Sequence, residues 1–158
     1  MNLRVVGYAA LLVAPFVSAL PATDPAAEAG AMVANAPVHT KGAAPIHISH
    51  GAEIKMADYV VPGKITVFDF YSEYCPPCRA IAPHLEKLHS ARPDLAVVKV
   101  DINRPDHRGI DWQSPVAAQY HLQSVPHFAV VGPDGKVQAE GDEAFEIVLG
   151  FIKASEQP

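Results

Sequence analysis

An apolar segment that leads directly into a pair of cysteines is the feature of this sequence that most limits its fold. Residues Lys64 to Tyr71 (KITVFDFY) are largely apolar on both faces of a strand, which predicts a central strand buried on each side. The cysteine pair follows at Cys75–Cys78 (CPPC), and a helical pattern with one apolar stripe runs from Pro76 to about Ala91. The cysteines therefore lie where a buried strand passes into a helix.

From Ile46 onward, apolar runs of strand length alternate with helical patterns, which predicts an α/β fold with a central mixed β-sheet flanked by helices. Pro83 lies inside the first predicted helix and is expected to kink it. The remaining predicted elements are a strand over Leu95–Ile102, a short helix near Ser114–Tyr120, a hairpin of Phe128–Val131 and Lys136–Ala139 around Gly132–Gly135, and an amphipathic helix over Asp142–Lys153.

The amino-terminal part has a different composition. Residues 1–19 combine a basic start, an apolar run and small residues before a cleavage site after Ala19, which predicts a secretory signal peptide. An uncleaved anchor is the alternative, but Pro15 interrupts the run and the run is shorter than the roughly 20 residues that cross a bilayer. Residues 20–45, rich in Ala and Pro, predict a disordered linker before one folded domain over residues 46–158. We therefore expect an exported protein, periplasmic or secreted, without membrane insertion after cleavage.

Charge and residue usage exclude several classes of function. The formal net charge is -5 and no basic run occurs, which argues against nucleic-acid binding. Two cysteines are too few for a disulfide scaffold or a four-cysteine zinc site. The histidines, among them His47, His50, His84 and His89, form no recognisable metal-ligand spacing. No glycine-rich dinucleotide fingerprint occurs either, so we expect neither a metal nor an organic cofactor.

The CPPC pair predicts thiol chemistry with two distinct roles. Cys75 lies just before the helix, where the helix dipole and free amides stabilise a thiolate and lower its pKa. Cys78 lies a turn deeper and is expected to be less exposed, which separates an attacking thiol from a resolving thiol. Pro76 and Pro77 suit the first helical positions but remove two possible donors to the thiolate. A static structural disulfide and half of a metal site are the alternatives.

Asp69 is the one charge on the predicted central strand. A buried carboxylate is costly unless it is neutral or paired, and burial raises its pKa, so Asp69 is a candidate proton acceptor for Cys78. The alternative is a carboxylate that Lys99 or a backbone amide satisfies without a catalytic part. Lys99 itself is interpreted either as a residue that tunes Asp69 or as a solvated lysine at a strand edge.

The segment Phe68–Pro83 resembles the active-site segment of the thioredoxin family. The resemblance covers roughly residues 46–155 and continues through Lys99, Tyr120, Ser124, Val125, Pro126 and Gly135. Three departures from the family pattern are Tyr74 in place of the usual tryptophan, Pro76 in place of the usual glycine, and a longer segment over residues 101–120. The first two departures bear on the reduction potential, and the third bears on the choice of partner.

The resemblance implies a thioredoxin fold over residues 46–158 and a thiol-disulfide oxidoreductase in which Cys75 is the nucleophile and Cys78 resolves the mixed disulfide. It also implies a cis peptide bond between Val125 and Pro126, which leaves the Val125 backbone free to pair with an extended substrate chain. Sequence alone does not distinguish this from a trans proline entering a strand, because most X-Pro bonds are trans.

Two aromatic residues near these motifs have alternative interpretations. His127 directly follows the Val125–Pro126 pair and is either a partly exposed strand histidine or a residue that sets the thiolate pKa or substrate preference. Trp112, in the long segment, is either a core anchor or a partner contact, and we favour the core.

The function that we expect is reduction of disulfides in exported client proteins, and we expect the protein to be a monomer. Without a dinucleotide fingerprint, the protein would receive electrons from a thiol donor, for which a membrane-embedded carrier is one candidate. The first alternative is a periplasmic dithiol oxidase or isomerase with the same site. The second is a non-catalytic module that holds a metal or a client.

Overall fold

The computed structural model describes residues 44–157. The predicted signal peptide over residues 1–19 and most of the predicted linker over residues 20–45 lie outside the described residues. No helix within residues 44–157 is long and apolar enough to span a bilayer.

Strands and helices alternate along the described residues, as the apolar pattern predicts. A short 3-10 helix at Met56–Tyr59 separates the first two strands. The elements are β1 (Ile46–Ile48), β2 (Ile65–Tyr71), α1 (Pro76–Ala91), β3 (Leu95–Asp101), α2 (Pro115–Gln119), β4 (His127–Val131), β5 (Val137–Glu140) and α3 (Asp142–Glu156). Neither β1 nor the 3-10 helix was predicted as an element, because both are too short to carry a periodic pattern.

The strands form one mixed sheet in the order β1-β3-β2-β4-β5. The first three strands of that order are parallel, whereas β4 is antiparallel to β2 and β5 is antiparallel to β4. β2 therefore lies at the centre of the sheet and ends beside the cysteines. This arrangement confirms the predicted α/β fold with a central mixed sheet and flanking helices.

Alternate residues of β2 and β3 divide the core into two clusters, one on each face of the sheet. The α1 face packs against α1 and α3 and has as its core Val67, Leu85, Leu88, Leu95, Val97, Phe128, Val130, Ala139, Ala144, Val148 and Ile152. The α2 face packs against α2 and neighbouring loops and has as its core Ile54, Phe68, Phe70, Val98, Val100, Ile102, Val116, Ala117, Leu122, Ala129 and Val131. Burial on both faces confirms that β2 is a central strand.

Helix α1 begins at the predicted residue because its first positions suit proline. Cys75 is the N-cap, and Pro76 and Pro77 occupy the first two helical positions, where a missing N–H breaks no helical bond. Pro83 lies inside α1, and the helix continues past it to Ala91. The bend predicted at Pro83 stays a prediction.

Candidate active site

The two cysteines form a disulfide at the amino end of α1. Their Cα atoms are 5.3 Å apart, which lies in the usual range for a disulfide. The backbone N–H of Cys78 donates a hydrogen bond of 3.2 Å to Sγ of Cys75. Free amides at a helix start stabilise negative charge, so the same N–H is placed to stabilise a Cys75 thiolate after reduction.

Both sulfurs are shielded from solvent in this disulfide form. Cys75 is 1% exposed and Cys78 is 3% exposed, so the expectation that Cys78 is the less exposed of the two is wrong. The reason is a contact that is distant in sequence, because the carbonyl oxygen of Val125 lies 3.4 Å from Sγ of Cys75 and covers it.

The segment that covers Cys75 contains the cis peptide. The Val125–Pro126 bond is cis in the structure, as the family resemblance implies. Val125, Pro126 and His127 are all half-buried, and β4 begins at His127. The Val125 backbone therefore borders both the disulfide and the start of a sheet strand, and its pairing with an extended substrate chain stays a prediction.

Asp69 lies in the middle of β2 on the α1 face, with 1% of its surface exposed. Neither carboxylate oxygen has a hydrogen-bond partner among the described residues. Burial therefore raises the pKa of Asp69 from 3.8 to about 7, while the positive charge of Lys99 acts in the opposite direction. A carboxylate with that pKa changes protonation state near neutral pH, which suits a group that exchanges protons with a thiol.

Lys99 is buried, so its interpretation as a solvated lysine at a strand edge is wrong. It is 4% exposed because β3 lies between β1 and β2. In the parallel register Lys99 is directly opposite Asp69. Its ammonium nitrogen lies 4.7 Å from the centre of the Tyr71 ring.

Tyr71 and His47 are site residues that the sequence analysis did not identify. The Tyr71 hydroxyl forms a 2.9 Å hydrogen bond with Nδ1 of His47. Tyr71 is two residues beyond Asp69 on β2, so strand alternation alone would have placed both on one face. No sequence signal pairs Tyr71 with His47, because they meet only through the order of the strands.

The two remaining predicted site residues lie at the rim. Tyr74 is 40% exposed, and its pKa is raised chiefly by a hydrogen bond with the Glu73 carboxylate. The side chain of His127 is 16% exposed, and its Nε2 lies 3.5 Å from a carboxylate oxygen of Glu140. His127 is thus a partly exposed strand histidine with an acidic neighbour, and its role in substrate preference stays a prediction.

An apolar groove borders the disulfide on the side of α3. Its volume is about 330 Å³. It is lined by Pro77, Ala80, Ile81, Pro126, Phe145 and Leu149. Because Pro77 belongs to the CPPC motif and Pro126 to the cis peptide, the groove lies beside the cysteine site.

The long segment after β3 is an ordered loop held by one buried carboxylate. Asp111 is fully buried and accepts hydrogen bonds of 2.6 and 2.9 Å from the Arg104 guanidinium. These bonds hold the pKa of Asp111 below its usual range. The interpretation of Trp112 as a core residue is wrong, since its side chain is 43% exposed. Asp111 takes the inward position, and its neighbour Trp112 is turned outward.

Within residues 44–157, no three His, Cys, Asp or Glu side chains cluster in a way that could hold a metal ion. The cysteines of the site are paired with each other. The disulfide at the helix start and the carboxylate of near-neutral pKa on the sheet face beneath that helix suit disulfide exchange.

Comparison with known proteins places this arrangement in a family. The family model described as Thioredoxin matches residues 52–152, and the chain belongs to the thioredoxin family. A mutant thioredoxin from Halobacterium salinarum has the same fold, with a TM-score of 0.51, 20% identity, and coverage of 77% of this chain and 97% of that one. The predicted thioredoxin fold is thereby confirmed.

Several curated relatives are thioredoxins from other organisms. The mitochondrial thioredoxin-3 of Saccharomyces cerevisiae is 38% identical over 71 residues, which are 45% of this chain and 49% of that protein. The thioredoxin of Mycoplasmoides gallisepticum is 29% identical over 110 residues, 70% of this chain and 92% of that protein. Chloroplastic thioredoxin F2 of Arabidopsis thaliana is 28% identical over 58% of this chain and 46% of that protein. The chain thus spans about half the length of the yeast and Arabidopsis relatives.

Proposed function

We propose that this protein is an exported thiol-disulfide oxidoreductase that reduces disulfides in client proteins. The observation that carries the proposal is the Cys75–Cys78 disulfide at a helix start, with the Val125 carbonyl 3.4 Å from the Cys75 sulfur. The relatives named as thioredoxins support the same reaction. Export rests on the signal-peptide pattern of residues 1–19.

The reaction begins with the reduced pair. The Cys75 thiolate attacks one sulfur of the client disulfide, the client S–S bond breaks, and the departing client thiolate takes up a proton. The N–H of Cys78 stabilises the attacking thiolate. Pro76 and Pro77 contribute no N–H, so this thiolate has fewer backbone donors than a helix start without prolines would offer.

The second step releases the client. Cys78 loses its proton to the Asp69 carboxylate, its sulfur attacks Cys75, and the mixed disulfide breaks as the second client thiolate leaves and is protonated. Two electrons have then passed to the client, and the Cys75–Cys78 disulfide of the structure is the product. Asp69 is suited to this step because burial raises its pKa to about 7, towards the usual thiol pKa of about 8.5.

The clients are proteins with accessible disulfides in extended segments. The Val125 backbone beside the disulfide supports strand-like pairing with such a segment. The groove lined by Pro77, Ile81 and Phe145 supports apolar residues near the client cysteine. A thiol donor, such as a membrane-embedded carrier, returns the pair to its reduced form, and the protein acts as a monomer.

The decisive experiment is capture of the mixed disulfide. Cys78→Ser is expected to accumulate a covalent complex with an oxidised client such as insulin, and the complex dissociates on addition of dithiothreitol. The matched control, Cys75→Ser, is expected to form none. If Cys78→Ser instead bound clients without a covalent bond and with unchanged activity, the protein would be a non-catalytic binding module.

The direction of electron flow is tested by the reduction potential of the Cys75–Cys78 pair, measured by equilibration with glutathione and thiol alkylation. A potential near -270 mV, roughly that of thioredoxin, supports a reductase. A potential near -180 mV or higher supports the oxidase or isomerase alternative.

Export is tested separately by cell fractionation and mass spectrometry of the amino terminus. Cleavage after Ala19 and recovery outside the cytoplasm are expected. An intact amino terminus on cytoplasmic protein would contradict export without affecting the proposed reaction.

A further inference from the structure

A row of ionisable side chains crosses the α1 face at the level of Asp69. The strand register places His47 of β1 opposite Lys99 of β3, and Lys99 opposite Asp69 of β2. Paired residues of neighbouring parallel strands project on the same side of a sheet, so these three belong to one face. Tyr71 joins them from the next position on that side of β2.

The Lys99 ammonium has two possible partners in this row, the Asp69 carboxylate and the Tyr71 ring. It lies over the ring, 4.7 Å from the ring centre. Asp69 takes part in no salt bridge within residues 44–157, and its oxygens have no hydrogen-bond partner there. The ammonium is therefore placed on the aromatic face rather than in contact with the opposite charge across the strands.

The Tyr71 ring is held where it meets Lys99. Its hydroxyl is bonded to Nδ1 of His47 at 2.9 Å, and the His47 ring lies edge-on to it with 5.8 Å between centres. A ring fixed in this way presents its face to a buried cation, and such contacts strengthen when water is excluded.

We infer that Tyr71 is a positioning residue that holds the Lys99 ammonium on its ring and away from ion-pair contact with Asp69. This inference rests on the proposed function, in which Asp69 is the proton acceptor for Cys78. Contact with Lys99 would make Asp69 a weaker base, because a near cation favours the carboxylate. Tyr71 thereby preserves the basicity that the resolving step needs.

Other charged groups lie around this row and act on its members. Lys99 attracts the Asp69 carboxylate from β3. The further groups that act on Tyr71 or His47 are Asp101 at the end of β3, Glu73 after β2, Glu86 on α1 and His50 after β1. None of these further groups is changed in the variants below. A difference in the Asp69 pKa between variants is therefore caused by the Tyr71 ring or the Lys99 ammonium.

The test is the pKa of Asp69, followed by the NMR signal of its labelled carboxyl carbon in the oxidised protein. Tyr71→Leu removes the ring, and the pKa of Asp69 is expected to fall by about one unit as the ammonium moves towards it. Lys99→Met removes the cation, and the pKa is expected to rise by about one unit. The two variants therefore shift one group in opposite directions.

Two further variants separate positioning from a merely structural role. Tyr71→Phe keeps the ring, so the Asp69 pKa is expected to stay within about 0.3 unit of the wild-type value. Tyr120→Phe is the matched control, because its hydroxyl also bonds across the fold, to the Ile54 carbonyl, but on the α2 face. It is expected to change nothing at Asp69.

A double variant completes a double-mutant cycle for Tyr71 and Lys99. In the Lys99→Met background, Tyr71→Leu is expected to have no effect on Asp69, since the ring acts only through the ammonium. A rise or no change of the Asp69 pKa in Tyr71→Leu alone would overturn the inference, as would an undiminished effect in the double variant. If Tyr71→Leu does not fold, Tyr71→Met is read by the same criteria.

The titration uses the oxidised protein and no client, so it is independent of the proposed reaction. Failure of client capture with the expected shifts at Asp69 would reject the reaction and retain the positioning role. Client capture without those shifts would retain the proposed reaction and reject the positioning role. In a protein that passes both tests, the pH midpoint of client release is expected about one unit lower in Tyr71→Leu.

Discussion

The two faces of the central sheet are built by alternate residues of the same strands, yet they differ in character. On the α2 face, β2 and β3 present Phe68, Phe70, Val98 and Val100, all fully buried. On the α1 face, the same strands begin with Ile65, Val67, Leu95 and Val97 and end with Asp69, Tyr71, Lys99 and Asp101.

The polar groups of the α1 face are therefore confined to the carboxyl ends of its strands, beside the cysteines. Ligand and reaction sites of open α/β sheets lie at that end. Strand β2 thus supplies a core with one buried hydroxyl, that of Thr66, on the α2 face and polar groups beside the cysteines on the α1 face. We expect substitutions on the α2 face to change stability alone. Substitutions in the row of ionisable side chains on the α1 face are expected to change the protonation of Asp69.

The largest effect is expected from the α2 face. Phe68→Ala should lower the free energy of unfolding by about 3 to 5 kcal/mol, because it empties a fully buried ring site. Urea denaturation measures this loss, and Phe68→Leu should show a smaller one. The pKa of Asp69 should not change in Phe68→Leu, and a shift there would show that the two faces are not independent.

The next effect comes from Asp69, and its size depends on pH. Burial raises the pKa of Asp69 from 3.8 to about 7, so the folded protein keeps a proton that the unfolded chain releases. Stability therefore falls as pH rises from about 4 to about 7, by up to about 4 kcal/mol, and stays reduced above that range. Asp69→Asn should match wild type near pH 4 and exceed it near pH 8.

Urea denaturation over this pH range measures the difference between the two proteins. Asp58→Asn, which changes an exposed aspartate, is the control and should leave the wild-type curve intact. Equal pH dependence in wild type and Asp69→Asn would show that folding does not raise the pKa of Asp69.

A smaller loss of stability is expected from a substitution at the contact between α1 and β3. Nδ1 of His89 accepts a 2.9 Å hydrogen bond from the buried N–H of Val97, and β1 begins only opposite Val98. His89→Leu should cost about 1 to 3 kcal/mol, because that N–H loses its acceptor. His84→Leu, at a surface histidine of the same helix, is the thermal-denaturation control. Equal melting temperatures for the two variants would contradict this role.

The smallest effect is expected outside both faces. Trp112→Ala should change the free energy of unfolding by no more than about 0.5 kcal/mol, since the side chain is 43% exposed. A core tryptophan would cost about 3 to 5 kcal/mol. Thermal denaturation distinguishes these values, and a large loss would restore the core interpretation.

Local pattern was enough to predict much of this molecule. The run from Lys64 to Tyr71 identified the central strand, and the proline positions identified the start of α1. The burial of Asp69 followed from the apolar character of both strand faces. Each of these features depends on residues that are close together in the sequence. Over that range, strand alternation and the helical period determine which side chains share a face.

Features that depend on strand order were not predictable in this way. Lys99 is buried because β1 covers the outer side of β3, and β1 has only three residues. Cys75 is covered by Val125, fifty positions further along the chain. The outward position of Trp112 depends on which side chain of its loop binds Arg104. Such contacts form only after the elements have assembled.

The exposed position of Trp112 has a practical consequence. It is the sole tryptophan of the sequence, and Tyr74 stands where the family has one beside the cysteines. Indole fluorescence of this protein therefore arises from the loop rather than from the disulfide motif. Arg108 of that loop acts electrostatically on Tyr74, which places the loop near the motif. An emission change on mixing with a client would thus report docking, and a separate mass-based assay would follow oxidation.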